Sequence, residues 1–443
     1  MYNKYKEVCA TSKESTIFEW VTQDSFEPIP VKKAKGIYFW DLNDKKYYDF
    51  SSQAVCVNIG HGDKRIIKAA NDQFKELTYV WGKNFTTEIR AKLGEALKEV
   101  LPNNLSKSFF LSSGAEANEH AIRVAKNYTK KNKIISRYKS YHGSTYGAIS
   151  ISGDNRRLWA EPTMPDVVKV MDPYKYRCRW CSNSTKCNLE CLNIIEDTIK
   201  FENPNTIAAI FIETITGGSG LLIPDLQYIL GIRFLCDKYG ILLITDEVMT
   251  GFGRTGKWFA AEHYNLKPDI LTMAKGLTSA YFPMSAIAIS DELAEFYNKV
   301  AFPSGSTFNS HPVGCAVALE CLKIYKSDRL IENSSNLGYI LNDKLKELQK
   351  NNKNIIGDVR SIGLFGVIEL VKNIETKEPI ISLEEMNNPN NIMNQIKSEL
   401  IRSGLFTIIT SNYIFIAPPL CINKRDLLNG VNIINAVLRE VKI

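Results

Sequence analysis

Two polar residues stand where apolar runs of the sequence end, and both are of types that do chemistry. Asp246 closes the run ILLITD, and Lys275 follows the run DILTMA. A lysine at the end of a buried strand is unusual, because burial disfavours the ammonium form. Lowering its pKa would make it a nucleophile suited to Schiff-base chemistry. A snorkelling or ion-paired lysine is the structural alternative. We favour the chemical role for Lys275.

Asp246 is placed to bind a cationic or hydroxylic ligand. Ligands of open α/β sheets sit at the carboxyl ends of the strands, where this carboxylate is expected. It could bind a protonated ring nitrogen, a ribose hydroxyl or a metal ion. Its structural alternative is a cap for the following turn.

A third motif, SSGAEANEHAIRVAK from Ser112, predicts a strand that runs into the N-terminus of a helix. Free N–H groups and the positive end of the helix dipole bind phosphate at such a position. Ser113 adds a hydroxyl, and Gly114 allows close approach of the backbone. The motif equally fits a capped helix, with Ser113 as the cap and Glu116 completing a capping box.

An aromatic pair follows another apolar run, in YKSYHGSTYGA. Tyr141 and His142 precede several small residues. An aromatic ring here could stack on a flat cofactor, and a core tyrosine is the alternative.

Strand and helix patterns alternate along the middle of the chain, which predicts βαβ units and a mostly parallel sheet. We expect strands at 107–111, 133–137, 207–212, 241–245, 270–273 and 284–289, and helices at 116–130, 226–238, 312–325 and 337–350. The fold class is α/β, with a large domain at 61–327 and a smaller α+β domain at 328–443. The hairpin pattern in segment 1–60 lacks a sheet of its own, so we expect it to join the smaller domain.

The composition excludes several classes of protein. The 443 residues are 44% hydrophobic and 23% charged, which is typical of a globular chain and not of a disordered or fibrous one. No apolar run reaches the length of a membrane span, and the N-terminus lacks the apolar core of a secretory signal. We therefore expect a cytoplasmic protein that does not associate with a membrane. The net charge is +7, but the sequence has no basic arrays, which argues against a nucleic-acid-binding protein.

Two motifs suggest binding sites that we do not adopt. The run from Gly251 to Gly256 matches G-x-G-x-x-G but does not directly follow a strand, as a dinucleotide site requires. Cys178, Cys181, Cys187 and Cys191 have a spacing that would suit zinc, and reduced thiols in an exposed insertion are the alternative. No metal ligand is assigned from spacing alone.

Taken together, the motifs resemble the class III (ω-)aminotransferases, which are pyridoxal 5′-phosphate (PLP) enzymes of fold type I. The resemblance covers nearly the whole chain, because the motifs occur in the family's order. They are GIYFWDLNDKKYYDFSS, NIGHG, SSGAEANEHAIRVAK, SYHGST, IFIET, LLITDEVMTGFGRTGKWFA, PDILTMAKGL, STFNSHP and APPL.

The resemblance implies a role for each matching residue. Lys275 would carry PLP, and Asp246 would pair with its ring nitrogen. Val248 and Tyr141 would contact the two ring faces, with His142 beside them, and Ser113, Gly114 and Ala115 would bind the phosphate. Thr307 would reach the phosphate of a second subunit, which implies a homodimer with shared active sites. The expected substrates are an amino donor and a 2-oxo acid acceptor.

One family feature is absent. Counting ten residues back from Pro418 gives Ile408, where many members carry an arginine that meets the acceptor's carboxylate. Glu213, which pairs with that arginine in some relatives, then lacks this partner. Arg156 and Arg157 of SGDNRRLWAEP are candidates to replace the missing arginine, and Arg156 is the better one. A surface ion pair is the structural alternative. Val55 and Trp81 are expected to shape the substrate pocket.

The variant looks most like the subgroup that acts on taurine and related ω-amino acids. Two alternatives remain open: an aminomutase, epimerase or decarboxylase of the same fold, and a non-catalytic metal-binding protein built on it.

Overall fold

The computed structural model describes residues 2–181 and 187–441. The α-helices are α1 (Tyr2–Ser15), α2 (Ser52–Val55), α3 (Lys64–Glu76), α4 (Glu88–Lys98), α5 (Gly114–Thr129), α6 (Tyr146–Ile151), α7 (Glu190–Phe201), α8 (Leu226–Tyr239), α9 (Asp291–Lys299), α10 (Pro312–Ser327), α11 (Leu330–Asn351), α12 (Ile392–Arg402) and α13 (Lys424–Glu440). Among the described residues, no helix combines the length and the apolar character needed to cross a bilayer.

The strands follow the same chain order. They are β1 (Val31–Lys35), β2 (Tyr38–Asp41), β3 (Lys46–Asp49), β4 (Leu105–Leu111), β5 (Lys133–Arg137), β6 (Val167–Val170), β7 (Ile207–Glu213), β8 (Leu242–Asp246), β9 (Ile270–Met273), β10 (Ser285–Ser290), β11 (Ile356–Ile362), β12 (Phe365–Asn373), β13 (Glu378–Pro379), β14 (Leu405–Phe406), β15 (Ile409–Thr410) and β16 (Tyr413–Ile416).

The chain forms two compact units. One comprises Met1–Asp63 and Tyr339–Ile443, and the other comprises Lys64–Gly338. We refer to them as the small unit and the large unit.

The large unit is built on a seven-stranded sheet in the order β4-β10-β9-β8-β7-β5-β6. The pairings from β9 through β8, β7 and β5 to β6 are parallel, and β10 is antiparallel to both of its neighbours. Every residue of β7 is buried, as its continuous apolar sequence predicts for a strand covered on both faces. The expectation of a mostly parallel α/β sheet is confirmed.

Helix α5 packs against β7, β9 and β10 and contributes to the core of the large unit. Its apolar face belongs to one buried hydrophobic cluster with Phe211 of β7 and Ile244 of β8. The α5 residues in this cluster include Ala117, Ala121 and Val124. This packing fixes the N-terminus of α5 relative to the carboxyl ends of the parallel strands, where we expect the ligand.

The small unit contains two further sheets. The N-terminal hairpin forms a sheet in the order β1-β2-β3-β14, in which Leu405 pairs in parallel with Tyr48. The second sheet has the order β11-β12-β16-β15, and β13 pairs with β12. The hairpin thus shares a sheet with β14, a strand of the C-terminal segment.

One helix prediction missed its start. Helix α11 begins at Leu330 rather than at residue 337. Its first turns carry the polar run ENSSN, whose Asn and Ser side chains lower intrinsic helix propensity. The helix forms through them nevertheless, and Leu330 and Ser334 are buried.

Candidate active site

Asp246, the last residue of β8, is the centre of a buried hydrogen-bonded cluster. Its Oδ2 accepts hydrogen bonds from Asn118 Nδ2 at 2.9 Å and from His142 Nδ1 at 2.8 Å. Its Oδ1 accepts one from the backbone N–H of Val248 at 2.9 Å. Asp246 is only 4% exposed. Three donors orient this carboxylate, and Oδ1 retains a lone pair for one more donor.

His142 lies behind Asp246 in this cluster. Its ring contacts Phe211 with centroids 4.8 Å apart, and Asn118 Nδ2 also donates to the His142 carbonyl oxygen at 2.6 Å. Burial lowers the pKa of His142 although its bond to Asp246 opposes that shift. A neutral imidazole bonded through Nδ1 to a carboxylate carries its proton on Nδ1. In our interpretation His142 therefore positions Asp246.

Glu213 ends the neighbouring strand β7, directly opposite Asp246 in the sheet register. Its Oε1 accepts the N–H of Tyr141 at 3.2 Å, and its Oε2 accepts the N–H of Gly217 at 2.7 Å. Burial, and secondarily the negative charge of Asp246, raise the pKa of Glu213 to about 8. Glu213 thus has two backbone partners in place of an arginine.

Lys275 follows the end of β9, the strand that pairs with β8 on the side opposite β7. It is half-buried and starts a 3₁₀ turn, Lys275–Leu277. Its φ of +42° lies in the left-handed region, which is uncommon for a residue with a side chain. Lys275, Asp246 and Glu213 therefore follow the carboxyl ends of three neighbouring parallel strands.

The N-terminus of α5 lies beside this cluster. Ser113 Oγ accepts the N–H of Glu116 at 3.2 Å, which confirms Ser113 as the helix cap. Glu116 Oε2 accepts the N–H of Ser112 at 2.8 Å and not that of Ser113, so the expected capping box is replaced by a bond to the residue before the cap. A Cβ at Gly114 would meet Val248 Cγ1 at 3.0 Å. Glycine at this position therefore brings the first turn of α5 against the residue that follows the Asp246–Glu247 pair.

The loop that carries Tyr141 packs on the same turn. A Cβ at Gly143, whose φ is +129°, would lie 2.4 Å from Ala115 Cβ. The positive φ and this close approach both require glycine at position 143.

Arg156 lies over the ring of Tyr141, with its Cζ 3.5 Å from the ring centroid. It also forms an ion pair with Asp154, in which Nε lies 3.2 and 3.1 Å from the two carboxylate oxygens. The ion-pair alternative thus describes this structure, although the pair lies on an aromatic ring of the candidate site. Arg157 pairs instead with Glu161 at 2.7 Å.

With this geometry established, comparison with known proteins identifies the family. The family profile described as aminotransferase class-III matches residues 21–438. The chain belongs to the class III aminotransferases.

Similar proteins in this family include enzymes of different specificity. The chain is 34% identical to a leucine/methionine racemase of Thermococcus litoralis, over 97% of this chain and 94% of the racemase. It is 35% identical to a taurine–pyruvate aminotransferase of Bilophila wadsworthia, over 84% of each chain. A solved taurine:2-oxoglutarate aminotransferase of Bifidobacterium kashiwanohense, in complex with PLP and glutamate, superposes with a TM-score of 0.93 at 34% identity, covering 98% of this chain and 97% of that one.

These matches confirm the fold expected from the sequence, PLP-dependent fold type I, and the general activity. The chain is a PLP-dependent transaminase. Its cofactor has an anionic phosphate, a ring nitrogen that can be protonated, and a reactive aldehyde. The site offers a matching group for each: the first turn of α5, Asp246 Oδ1 and the amine of Lys275.

Three predicted site residues of this class III aminotransferase lie outside the cluster of contacts described above. Thr307 is exposed in another loop of the large unit, where its carbonyl oxygen accepts the Tyr79 hydroxyl at 2.8 Å. Trp81 is 46% exposed, and Val55, in the small unit, is 2% exposed with a φ of +59°. Their roles stay predictions.

Sequence reasoning missed Asn118, which joins Asp246 to His142. The only signal was a polar residue at a position of α5 that the helical period places on the buried face. Buried polar side chains are normally hydrogen-bonded, so such a position indicates an internal partner without identifying it.

Proposed function

We propose that this transaminase moves an amino group from an ω-amino acid, such as taurine or β-alanine, to a 2-oxo acid, either pyruvate or 2-oxoglutarate. The observation that carries the proposal is the Arg156 side chain, which lies 3.5 Å over the Tyr141 ring beside the buried Asp246 cluster. A guanidinium there can bind the sulfonate or carboxylate at the far end of a donor. The two taurine aminotransferases among the similar proteins support this donor class.

The roles of the binding residues follow from their positions. The first turn of α5, at Ser113, Gly114 and Ala115, would bind the cofactor phosphate through N–H groups that have no carbonyl partner within the helix. Val248 and Tyr141 would contact opposite faces of the ring.

When bound, PLP supplies an electron sink for the pair released at the donor carbon. Asp246 Oδ1 would accept a hydrogen bond from the protonated ring nitrogen, and its negative charge would stabilise the positive charge of the ring. Lys275 Nζ would hold the cofactor covalently before the donor arrives. Once displaced, the same Nζ would accept the proton from the donor carbon, and it would return a proton when the 2-oxo acid is converted.

A grid of donors against acceptors tests the proposal. Purified holoenzyme would be assayed with taurine, β-alanine, 4-aminobutyrate and putrescine, each with pyruvate or 2-oxoglutarate, and the new amino acid would be quantified. Taurine or β-alanine should be the best donor, and Lys275→Ala should be inactive throughout. Preference for putrescine, which has no acid group, would reject the donor class.

A second candidate is racemisation or epimerisation of an amino acid, which the similarity to the leucine/methionine racemase favours. It predicts inversion of the α-carbon without any 2-oxo acid. The same preparation would be incubated with single L-amino acids, and the enantiomers would be separated. Inversion faster than transamination would replace our proposal with this one.

We also propose a homodimer in which Thr307 contacts the phosphate bound by the other chain. Thr307 is exposed in the single chain, as is Phe308 beside it at 58%. Lys275→Ala subunits mixed with subunits of a Thr307 variant that binds PLP poorly should form hybrids with one intact site. Proven hybrids that remain inactive would show that the sites are not shared.

A further inference from the structure

Four cysteines lie close together in the sequence, three of them in the connection between β6 and α7 and the fourth, Cys191, in the first turn of α7. Of the ten cysteines in the chain, four fall within 14 residues of sequence: Cys178, Cys181, Cys187 and Cys191. In its described part, the connection has one 3₁₀ turn, Lys175–Arg177, and no strand or α-helix. Long irregular connections within a compact domain are uncommon and are usually functional.

Hydrogen bonds link three of the four thiol groups. Cys181 Sγ lies 3.9 Å from Cys187 Sγ, and the side chains of Cys178 and Cys181 are hydrogen-bonded to each other. Cys191 is buried at the start of α7, near enough to Cys187 and Cys178 to interact with both electrostatically. All four are free thiols.

The Cys181 and Cys187 thiols form a weak S–H···S hydrogen bond, and its 3.9 Å length is close to the spacing of two thiolate ligands on one metal ion. Two sulfur ligands at about 2.3 Å from a tetrahedral zinc ion lie about 3.8 Å apart, whereas a disulfide requires about 2.05 Å. In residues 2–181 and 187–441, no three His, Cys, Asp or Glu side chains are already arranged around a metal position. Ligation therefore requires the four cysteine side chains to rearrange around a common position.

We propose that these four cysteines form a structural zinc site. Four thiolates fill the tetrahedral coordination of zinc and leave no open position, so the ion would stabilise the fold without taking part in catalysis. Binding replaces four S–H protons by one Zn²⁺, and the Zn(Cys)₄ centre has a net charge of −2. Lys175, Arg177 and Arg179 lie in the same segment and can offset this charge.

The site would tie the connection to the start of α7. Strand β6 lies at the edge of the sheet, where it pairs only with β5 among the described strands. Because metal-binding free energy adds to the stability of the folded state, removing zinc should lower the melting temperature of the protein and leave its PLP content unchanged.

Metal analysis of the full-length holoenzyme tests the proposal. The protein would be purified under reducing conditions without a metal-chelate column, incubated with zinc chloride, desalted and analysed by mass spectrometry for metals. We expect about one zinc ion per chain in the unmodified protein. The zinc content of Cys181→Ser should be lower by about tenfold or more. Cys181→His should retain zinc, because imidazole is also a zinc ligand.

The matched control is Cys421→Ser, which changes an exposed cysteine of the small unit and should keep the full zinc content. If Cys181→Ser does not fold, Cys187→Ser replaces it, and a chelator titration of the unmodified protein should release one zinc ion as the melting temperature falls. The proposal is overturned if the unmodified protein holds no zinc, holds iron instead, keeps zinc in both serine variants, or is isolated with a Cys181–Cys187 disulfide.

Discussion

Two regions beside the candidate site are constructed in different ways. The Asp246 cluster is buried and joins residues far apart in the chain, since Asn118 and Asp246 are separated by 128 positions. The Arg156–Asp154 pair joins residues two positions apart, and the Arg156 side chain remains 33% exposed. Long-range packing therefore fixes the groups that we propose for the chemistry, whereas the residue that we propose for substrate binding is held by a local ion pair.

The largest expected effect is on the buried region. Asp246→Asn should lower turnover by about two to four decades, because a neutral amide cannot balance a cationic ring nitrogen. PLP content, measured by absorbance, should fall far less, since the proposed contacts of the phosphate and of Lys275 would remain.

The adjacent carboxylate is the matched control for Asp246. The Glu247 carboxylate accepts hydrogen bonds from the Thr214 hydroxyl and from the N–H groups of Ala260 and Ala261, each at 2.9 Å. Glu247→Gln should therefore lower the melting temperature and leave the turnover of correctly folded holoenzyme nearly intact. If both variants lose turnover equally, Asp246 has no special role.

A smaller effect is expected in the exposed region. Arg156→Ala should raise KM for taurine or β-alanine about 10- to 100-fold, the scale of a lost hydrogen bond to a charged group. Arg156→Lys should recover part of the loss, because a point charge cannot reproduce the planar fork of the guanidinium. Steady-state kinetics at full PLP occupancy measures both.

Two neighbouring substitutions sharpen this test. Arg157→Ala removes an arginine that pairs with Glu161 and should leave KM unchanged. Asp154→Asn removes the carboxylate that competes for Arg156 and should lower KM. Equal effects of the two arginine substitutions would place the anion site elsewhere.

The smallest effect concerns the pH dependence of stability. The ordinary pKa of histidine is 6.5, and burial lowers the pKa of His142 in the folded chain. Below pH 6.5 the unfolded state therefore binds more protons than the folded state, so the stability present above that pH declines as the pH falls.

His142→Asn, which keeps a polar side chain but does not titrate, should reduce the slope of unfolding free energy against pH below 6.5. Denaturant melts of the two proteins at several pH values measure this slope. Parallel curves would mean that His142 is not held neutral by the fold.

Much of the large unit was predictable because its signals are local. The buried strands are continuous apolar runs, and β5 and β9 have the predicted bounds. Lys275 and Asp246 stood out because a polar residue at the end of such a run is visible in the sequence itself. Their neighbouring positions then follow from the parallel strand order.

What escaped prediction depends on contacts between distant segments. The partners of Asn118 lie in two other segments of the chain, and no local pattern identifies them. The spacing of Arg156 and Asp154 permits their ion pair but does not show that Arg156 lies on Tyr141. The resemblance implied that Glu213 lacks the arginine with which it pairs in some relatives, but not that the N–H groups of Tyr141 and Gly217 would bind its carboxylate instead.

The left-handed backbone at Lys275 also links function to evolution. A residue with a side chain at a φ of +42° costs about 1 kcal/mol or more relative to glycine. Lys275→Gly should thus be more stable than Lys275→Ala by about that amount, although both lack the amine. Selection for stability alone would favour glycine at this position, so the proposed role of Lys275 in holding the cofactor would be bought with a less stable backbone.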